Sequence, residues 1–430
     1  MNMRLLIVSN EPLNKSSSNG RTMANLLAAF SPNELAQFYL HGAPDFSLCA
    51  NYYRVSDRDA LAAFKSVRPY RKSGLVTAAE TAPATGKSGS KAYSHNCRNM
   101  VLRDIVWESF RWWNTAFDAF LNEFSPTAVL LQAGDAPFMY RIARRIAKKR
   151  KIPLLLYNSE AYVLKDILYS DASRISLWHQ LLKRRLRTEY KHFMEQAKYS
   201  FYATEYIESS YQERYPHFGK SRAFYISSEM KVLPDYSNAL FRVVYCGNLG
   251  VGRVVPLCEV AQVLSKVNGD ATLDIYGRFV SEEDEKGLCA YPNVRYFGAI
   301  PYAEIPRVMS EANMLLHVEN PERLVNLRHA FSTKIADSLA SGRPFLVYAS
   351  REYPFVQYLE KHSAAHIAEG EAELAEVLRV CMENSDALNS HISAALTLAA
   401  EKHNIVNNAE RFRQIVEQQV SVEEPVGESK

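Results

Sequence analysis

Short apolar runs alternate with stretches of helical period along almost the whole chain. In the first half, Leu5–Ser9 reads as a strand and Arg21–Ala29 as the helix after it. Ala128–Gln132, Pro153–Tyr157 and Ser200–Ala203 read as further strands, separated by helices over Met139–Lys149 and Leu177–Gln196. A long helix is predicted over Leu102–Phe124, where Trp107, Phe110, Trp113, Phe117, Phe120 and Leu121 share one face. An aromatic stripe at that spacing is more often core than cofactor site. The alternation restarts with strands at Phe241–Cys246, Thr272–Tyr276, Val294–Phe297, Met314–Val318 and Pro344–Tyr348. Helices are predicted over Val255–Val267, Tyr302–Glu311, Ser332–Ala340, Ala372–Glu383, Leu388–His403 and Asn407–Gln418. Strands and helices in this order predict an α/β fold with parallel sheets and crossover helices.

At 430 residues the chain exceeds one such domain, so two are expected. Ser227–Asn238 lacks periodicity and reads as the linker. That places one domain over 1–235 and a second over 236–420, with a polar tail at 421–430. Residues 71–95 are poor in large apolar side chains and read as a mobile surface loop of the first domain. The last helix is expected to pack back on the first domain.

Composition changes this picture little. The 47% hydrophobic and 23% charged residues are ordinary for a globular protein. No apolar run approaches the roughly 20 residues of a bilayer span, and the short apolar run over residues 4–8 reads as a buried strand rather than a secretory signal. The six cysteines have no metal or disulfide spacing and are expected to be reduced thiols in a cytoplasmic protein. Charge adds more. The net charge of +4 conceals 33 Lys and Arg against 21 Asp and Glu in residues 1–238, and an acidic remainder. A basic first half suits an anionic partner, either a membrane surface or nucleic acid, although no aromatic-interleaved nucleic-acid motif accompanies it and none is expected as a partner.

In a parallel sheet, ligands bind beyond the carboxyl ends of strands, where backbone N–H groups gather. Two stretches of the second half fall there. Tyr245-Cys246-Gly247-Asn248-Leu249-Gly250-Val251-Gly252-Arg253 places glycines and a forked cation after a strand, although an ordinary strand–helix turn reads the same way. Phe331–Pro344 opens with Ser332 and Thr333, good N-cap residues, followed by Lys334 in the first turn. A cation there opposes the helix dipole unless an anion is bound. Asp337 lies one turn later on the same face and suits a ribose diol.

The run S-T-K-x-x-D-x-L-A-S-G-R-P resembles the donor-binding element of GT-B fold glycosyltransferases, in particular the GT4-like, group 1 type enzymes of polysaccharide biosynthesis. The Y-x-G-N-L-G turn resembles the opening of their donor domain. The resemblance implies two Rossmann-like, doubly wound parallel-sheet domains facing a central cleft, and transfer of a sugar from a nucleotide-diphosphate-sugar to a glycan or lipid-linked acceptor. It implies ribose binding by Asp337 and diphosphate binding by Ser332, Thr333, Lys334, Gly250 and Arg253, with Gly247 and Asn248 in the same turn. The base would meet the backbone at Gly298-Ala299-Ile300, centred on Ala299. The family's leading Glu falls at His329 here, and Glu319 is the better substitute for the sugar side.

In the first half, Gly20 opens a helix after the first strand and could approach donor or acceptor. Asp135 and Glu160 lie just past strand ends, and either suits an acceptor-side acid or base, or a plain loop carboxylate. With no metal-ligand spacing and no paired-aspartate motif, a metal-independent hexosyltransferase without a cofactor is expected. Other readings are a non-catalytic nucleotide-sugar or nucleic-acid binder and a nucleotide-sugar epimerase. The cations of Arg141–Lys151 and Leu177–Gln196 suggest docking on the inner face of an anionic membrane.

Overall fold

A computed structural model describes residues 3–15, 17–78, 96–166, 168, 176–216, 219–234 and 240–421. The chain divides into two compact units, residues 1–225 with 406–430, and residues 226–405. In unit 1 the strands are β1 (Leu5–Val8), β2 (Leu35–Tyr39), β3 (Asn51–Arg54), β4 (Leu75–Val76), β5 (Ala128–Gln132), β6 (Leu154–Asn158), β7 (Tyr199–Tyr202) and β8 (Lys220–Ala223). They form one sheet in the order β4-β3-β2-β1-β5-β6-β7-β8. Only the β3–β4 pair is antiparallel. Its centre, β1 beside β5, is continuously apolar because helices cover both faces.

Unit 2 contains β9 (Arg242–Cys246), β10 (Thr272–Tyr276), β11 (Val294–Gly298), β12 (Met314–Val318), β13 (Phe345–Tyr348) and β14 (His366–Ala368). All its pairs are parallel, in the order β11-β10-β9-β12-β13-β14. The chain therefore builds outward from β9 to β11, then returns to lay β12 on the other side of β9. In each unit the direction of winding reverses once, between β1 and β5 and between β9 and β12. In parallel sheets such a reversal is where ligands bind, at the carboxyl edge. No described helix is long and apolar enough to cross a membrane, and all six cysteines are free thiols.

Three expectations change. The single helix over Leu102–Phe124 is two helices, Cys97–Glu108 and Thr115–Phe124. Phe110 turns the chain at a φ of 52°, and the Asn114 side chain accepts a hydrogen bond from Phe117 N (3.1 Å) to start the second helix. The interruption drives Trp112 into the core against Phe38, Trp107 and Phe117. The boundary between units falls at Tyr225/Ile226 rather than 235/236, because the segment read as linker is bonded into unit 2. There Ser228 N donates to His403 O, and Leu233 N to Ser341 O. The C-terminal helix Ile405–Ser421 lies mostly in unit 1, where Phe412 packs on Phe30, Phe201 and Phe224. Of the loop over 71–95, residues 75 and 76 form β4, and 79–95 lie outside the described residues.

The outer half of the second sheet depends on one buried carboxylate. Asp274 on β10 has no solvent exposure and is bonded by Arg242 of β9 (Nη2–Oδ2 2.7 Å) and Arg295 of β11 (Nε–Oδ1 2.6 Å). Removing it takes from Arg295 this partner and leaves Arg242 with Glu311 alone (3.3 Å). Asp274→Ala is expected to lose about 3 kcal/mol of unfolding free energy by denaturant titration; an unchanged midpoint would show that the pairs contribute nothing net.

Candidate functional site

The carboxyl ends of β9 and β12, together with the N-terminus of the helix Thr333–Ala340, bring eight of the residues singled out from sequence into one place. Gly247 follows β9 directly, and Gly247 N donates to Tyr276 O (2.7 Å), so the turn stays level with the end of β10. Asn248 Oδ1 accepts from Gly250 N (2.8 Å), and Tyr245 OH donates to Asn248 O (2.8 Å). These bonds hold the glycine turn in one conformation before any ligand arrives. Ser332 caps the helix, its hydroxyl accepting from Lys334 N (3.4 Å).

Lys334 then crosses back to the β9 turn. Its stem and ammonium lie against the Cα of Gly247, where any side chain would collide with them. Its Nζ sits 5.4 Å from the centroid of the Tyr245 ring. The glycine thus leaves open the space that the end of the lysine side chain fills. Burial holds the Lys334 ammonium down at about 8, and the nearby Arg253 adds to the effect while Glu319 opposes it.

Arg253 and Glu319 are paired with each other. The guanidinium donates from Nε to Oε2 (3.0 Å) and from Nη2 to Oε1, a forked contact that is almost wholly buried. Burial alone would raise the Glu319 carboxyl, but His317 and Arg253 hold it down at about 2. The His317 ring is buried and its own pKa is lowered by desolvation, with Nε2 3.4 Å from Glu319 Oε1. Of the two neighbours, Arg253 is the one that holds the carboxylate through a fork of hydrogen bonds. Glu319 thus orients Arg253 rather than standing open to a sugar. With Lys334 protonated, the three groups carry a net charge of +1 beside a helix N-terminus, which suits an anion.

Asp337 is 6% exposed. Its Oδ1 accepts from Ser228 Oγ (2.5 Å) and Tyr302 OH (3.1 Å). Neither partner was singled out from sequence: Ser228 lay in the presumed linker, and Tyr302 follows the Gly298–Ile300 turn. Ala299 in that turn is exposed, and Gly298 O accepts from Gly277 N (2.9 Å). Thr333 is partly buried in the first turn of the helix.

The remaining candidates belong to unit 1. Gly20 lies in the first turn of the helix Ser18–Leu26, where the Asn14 side chain fills the space a Cβ would need. Asp135 follows β5 at the reversal beside β1, and Glu160 follows β6 and pairs with Lys165 (2.6 Å). The two acids share a neighbourhood. Burial pushes the Tyr162 hydroxyl up, and Glu160, Asp135, Tyr140 and Glu11 push it further. Glu11, just past β1, is an acid that the sequence reading passed over.

Lys334 gives the site a thermodynamic signature. Its folded-state pKa is depressed from 10.5 to about 8. The cost to the fold is full below about 8 and fades as pH rises toward 10.5, above which the lysine is neutral in both folded and unfolded chains. Lys334→Met is therefore expected to stabilise the protein at pH 7 by about 2 kcal/mol, with the gain shrinking toward pH 10.5. Denaturant titrations at pH 7 and pH 10 measure this, and a destabilised variant at pH 7 contradicts it.

Residues 258–414, most of unit 2 and the start of the last helix, match the model of a family described as glycosyl transferase-like. No curated protein matches the chain. Solved structures resemble it over nearly its whole length. Sucrose-phosphate synthase from Thermosynechococcus elongatus is 13% identical, with a TM-score of 0.62 over 97% of this chain and 100% of that one. Alr3699/HepE from Anabaena, in complex with UDP, is 11% identical with a TM-score of 0.63 over 97% and 100%. A glycosyltransferase from Rickettsia africae is 10% identical with a TM-score of 0.58 over 98% and 99%. Two doubly wound units, each with one reversal of winding, and likeness over nearly the whole chain lead to one conclusion: the chain has the two-domain GT-B fold of these structures, and its residues 258–414 match a glycosyl transferase-like family model.

Proposed function

We propose that the protein is a glycosyltransferase that moves a sugar from a nucleotide-diphosphate-sugar to a glycan or lipid-linked acceptor. The observation that carries the reading is Lys334, a desolvated ammonium beside Arg253 at a helix N-terminus and a strand reversal. That arrangement disfavours its own charges until a diphosphate enters. HepE is described in complex with UDP and with UDP-glucose, and TarM from S. aureus with UDP and α-GlcNAc-glycerol, which supports a nucleotide-sugar donor and a sugar-bearing acceptor.

As the bond between the sugar's anomeric carbon and the diphosphate breaks, negative charge grows on the leaving oxygen. Lys334, Arg253 and the N–H groups after Ser332 stand ready to stabilise it without reorganising. On this account the diphosphate needs no bound metal and the protein no cofactor, and the transferase is of the hexosyl type. Asp337 takes the ribose hydroxyls, with Ser228 and Tyr302 setting its orientation. Asp135 and Glu160 are the candidates to receive the acceptor hydroxyl's proton. Assembly of a surface polysaccharide in the cytoplasm, at the inner face of a membrane, follows from the family resemblance and the basic first half.

Thermal unfolding in the presence of UDP-, GDP-, dTDP- and ADP-sugars tests the reading. One nucleotide family is expected to stabilise the protein, by about 2.7 kcal/mol at a hundred times its dissociation constant. Lys334→Met and Arg253→Ala are expected to abolish the effect, and no response to any of the four contradicts the proposal. Tyr302→Phe removes one hydrogen bond from a carboxylate and is expected to raise the donor KM about tenfold with kcat little changed. An equal fall in kcat would place Tyr302 in the chemical step instead.

A further inference from the structure

The helix Leu177–Met194 of unit 1 presents a stripe to solvent that its fold does not use. Leu182, Leu186, Tyr190, Phe193 and Met194 are buried and hold the helix to the unit. On the opposite side, Leu177, Leu181, Arg184, Thr188 and Lys191 follow one another at helical spacing, and all are exposed. Exposure reaches 82% at Leu177, 40% at Trp178 and 41% at Leu181, so three large apolar side chains cluster at one end. The other end of the stripe is basic. It borders a groove of about 710 Å³ lined by Lys183, Arg184, Arg187, Lys191, Arg214 and Tyr215.

The charges of this surface are poorly compensated. Asp166 pairs with Lys183 (2.8 Å) and reaches Arg187 at 3.9 Å. The one acid of the helix, Glu189, faces the unit and is taken by Arg141 and Arg144. Arg184 and Lys191 form no ion pair among the described residues. Stability alone does not ask for an apolar cluster and unpaired cations on one exposed stripe. A lipid surface asks for both. Its anionic headgroups meet the cations, and its interfacial layer accepts Leu, Trp and the aliphatic stems of Lys and Arg.

We infer that this stripe docks the protein on an anionic membrane, with Leu177, Trp178 and Leu181 entering the interface and the cations of the groove contacting lipid phosphates. The inference names the partner surface in the functional reading above, yet it is tested without a sugar donor.

The test adds vesicles of phosphatidylcholine, alone or with phosphatidylglycerol, to the full chain and reads co-flotation and tryptophan emission. Of the four tryptophans, Trp107 and Trp112 are buried and Trp113 is partly buried, so Trp178 is the one open to such a change. Phosphatidylglycerol vesicles are expected to float the protein in a salt-sensitive manner and to shift emission to the blue, with the shift lost in Trp178→Phe. Arg184→Gln with Lys191→Gln is expected to weaken partition roughly thirtyfold, about fivefold per cation at the surface. Leu177→Ser with Leu181→Ser is expected to weaken it further while leaving the response to nucleotide-sugars intact. No flotation with anionic vesicles overturns the inference. So does flotation that these substitutions leave unchanged, or a surface that instead binds duplex DNA through the same cations without a Trp178 shift. Loss of the nucleotide-sugar response in the wild-type chain would count against the transferase reading alone.

Discussion

Two cations, Arg253 and Lys334, share the end of β9 with one carboxylate, Glu319, and a helix N-terminus directed at the same place. Their mutual repulsion and desolvation are compensated only in part. Arg253 is held by Glu319, but Lys334 has the Tyr245 ring, a weaker partner, beneath it. The strands on either side exist in this order to make the site possible. Because β12 returns beside β9, the segments after the two strands lie side by side, joined by Arg253 on Glu319 and by Asn320 Nδ2 on Gly252 O (3.2 Å).

Around that pair the unit is built for rigidity. Arg242 and Arg295 fasten β9 and β11 to Asp274 on β10, which fixes the strand from which the glycine turn departs. Tyr245 and Asn248 fix the turn itself. One turn further along the helix, Ser228 and Tyr302 hold Asp337, so the acid proposed for ribose is positioned by two segments distant in sequence. Preorganisation of this kind lowers the ordering cost of binding, since few side chains must be immobilised when a ligand enters.

Much of this was legible in the sequence because it is local. The Ser332–Pro344 run carries its own cap, cation, acid and stop, and the strands β5, β10 and β12 were read with their true boundaries. What escaped reading was non-local or masked by a polar residue. β2 is fully buried, but Gln37 in its middle breaks the apolar run, since that side chain bonds Ser9 Oγ and Leu13 N. The break at Phe110 was hidden because the aromatic spacing continues across it. Glu319 was expected to face a sugar, and only three-dimensional proximity reveals that it orients Arg253. Ser228 could not be found at all, because nothing local separates a free linker from a segment bonded to Asp337, 109 positions away.

The central claim is that Lys334 is a desolvated cation awaiting a diphosphate, and its own titration tests this most directly. With lysine labelled at the ε-carbon and the amine nitrogen, NMR can follow Lys334 with and without a bound nucleoside diphosphate, using Lys334→Met for assignment. The account predicts a free-state pKa near 8, rising toward or beyond the ordinary lysine value of about 10.4 when the ligand binds. A Lys334 that titrates like an exposed lysine in both states would contradict it.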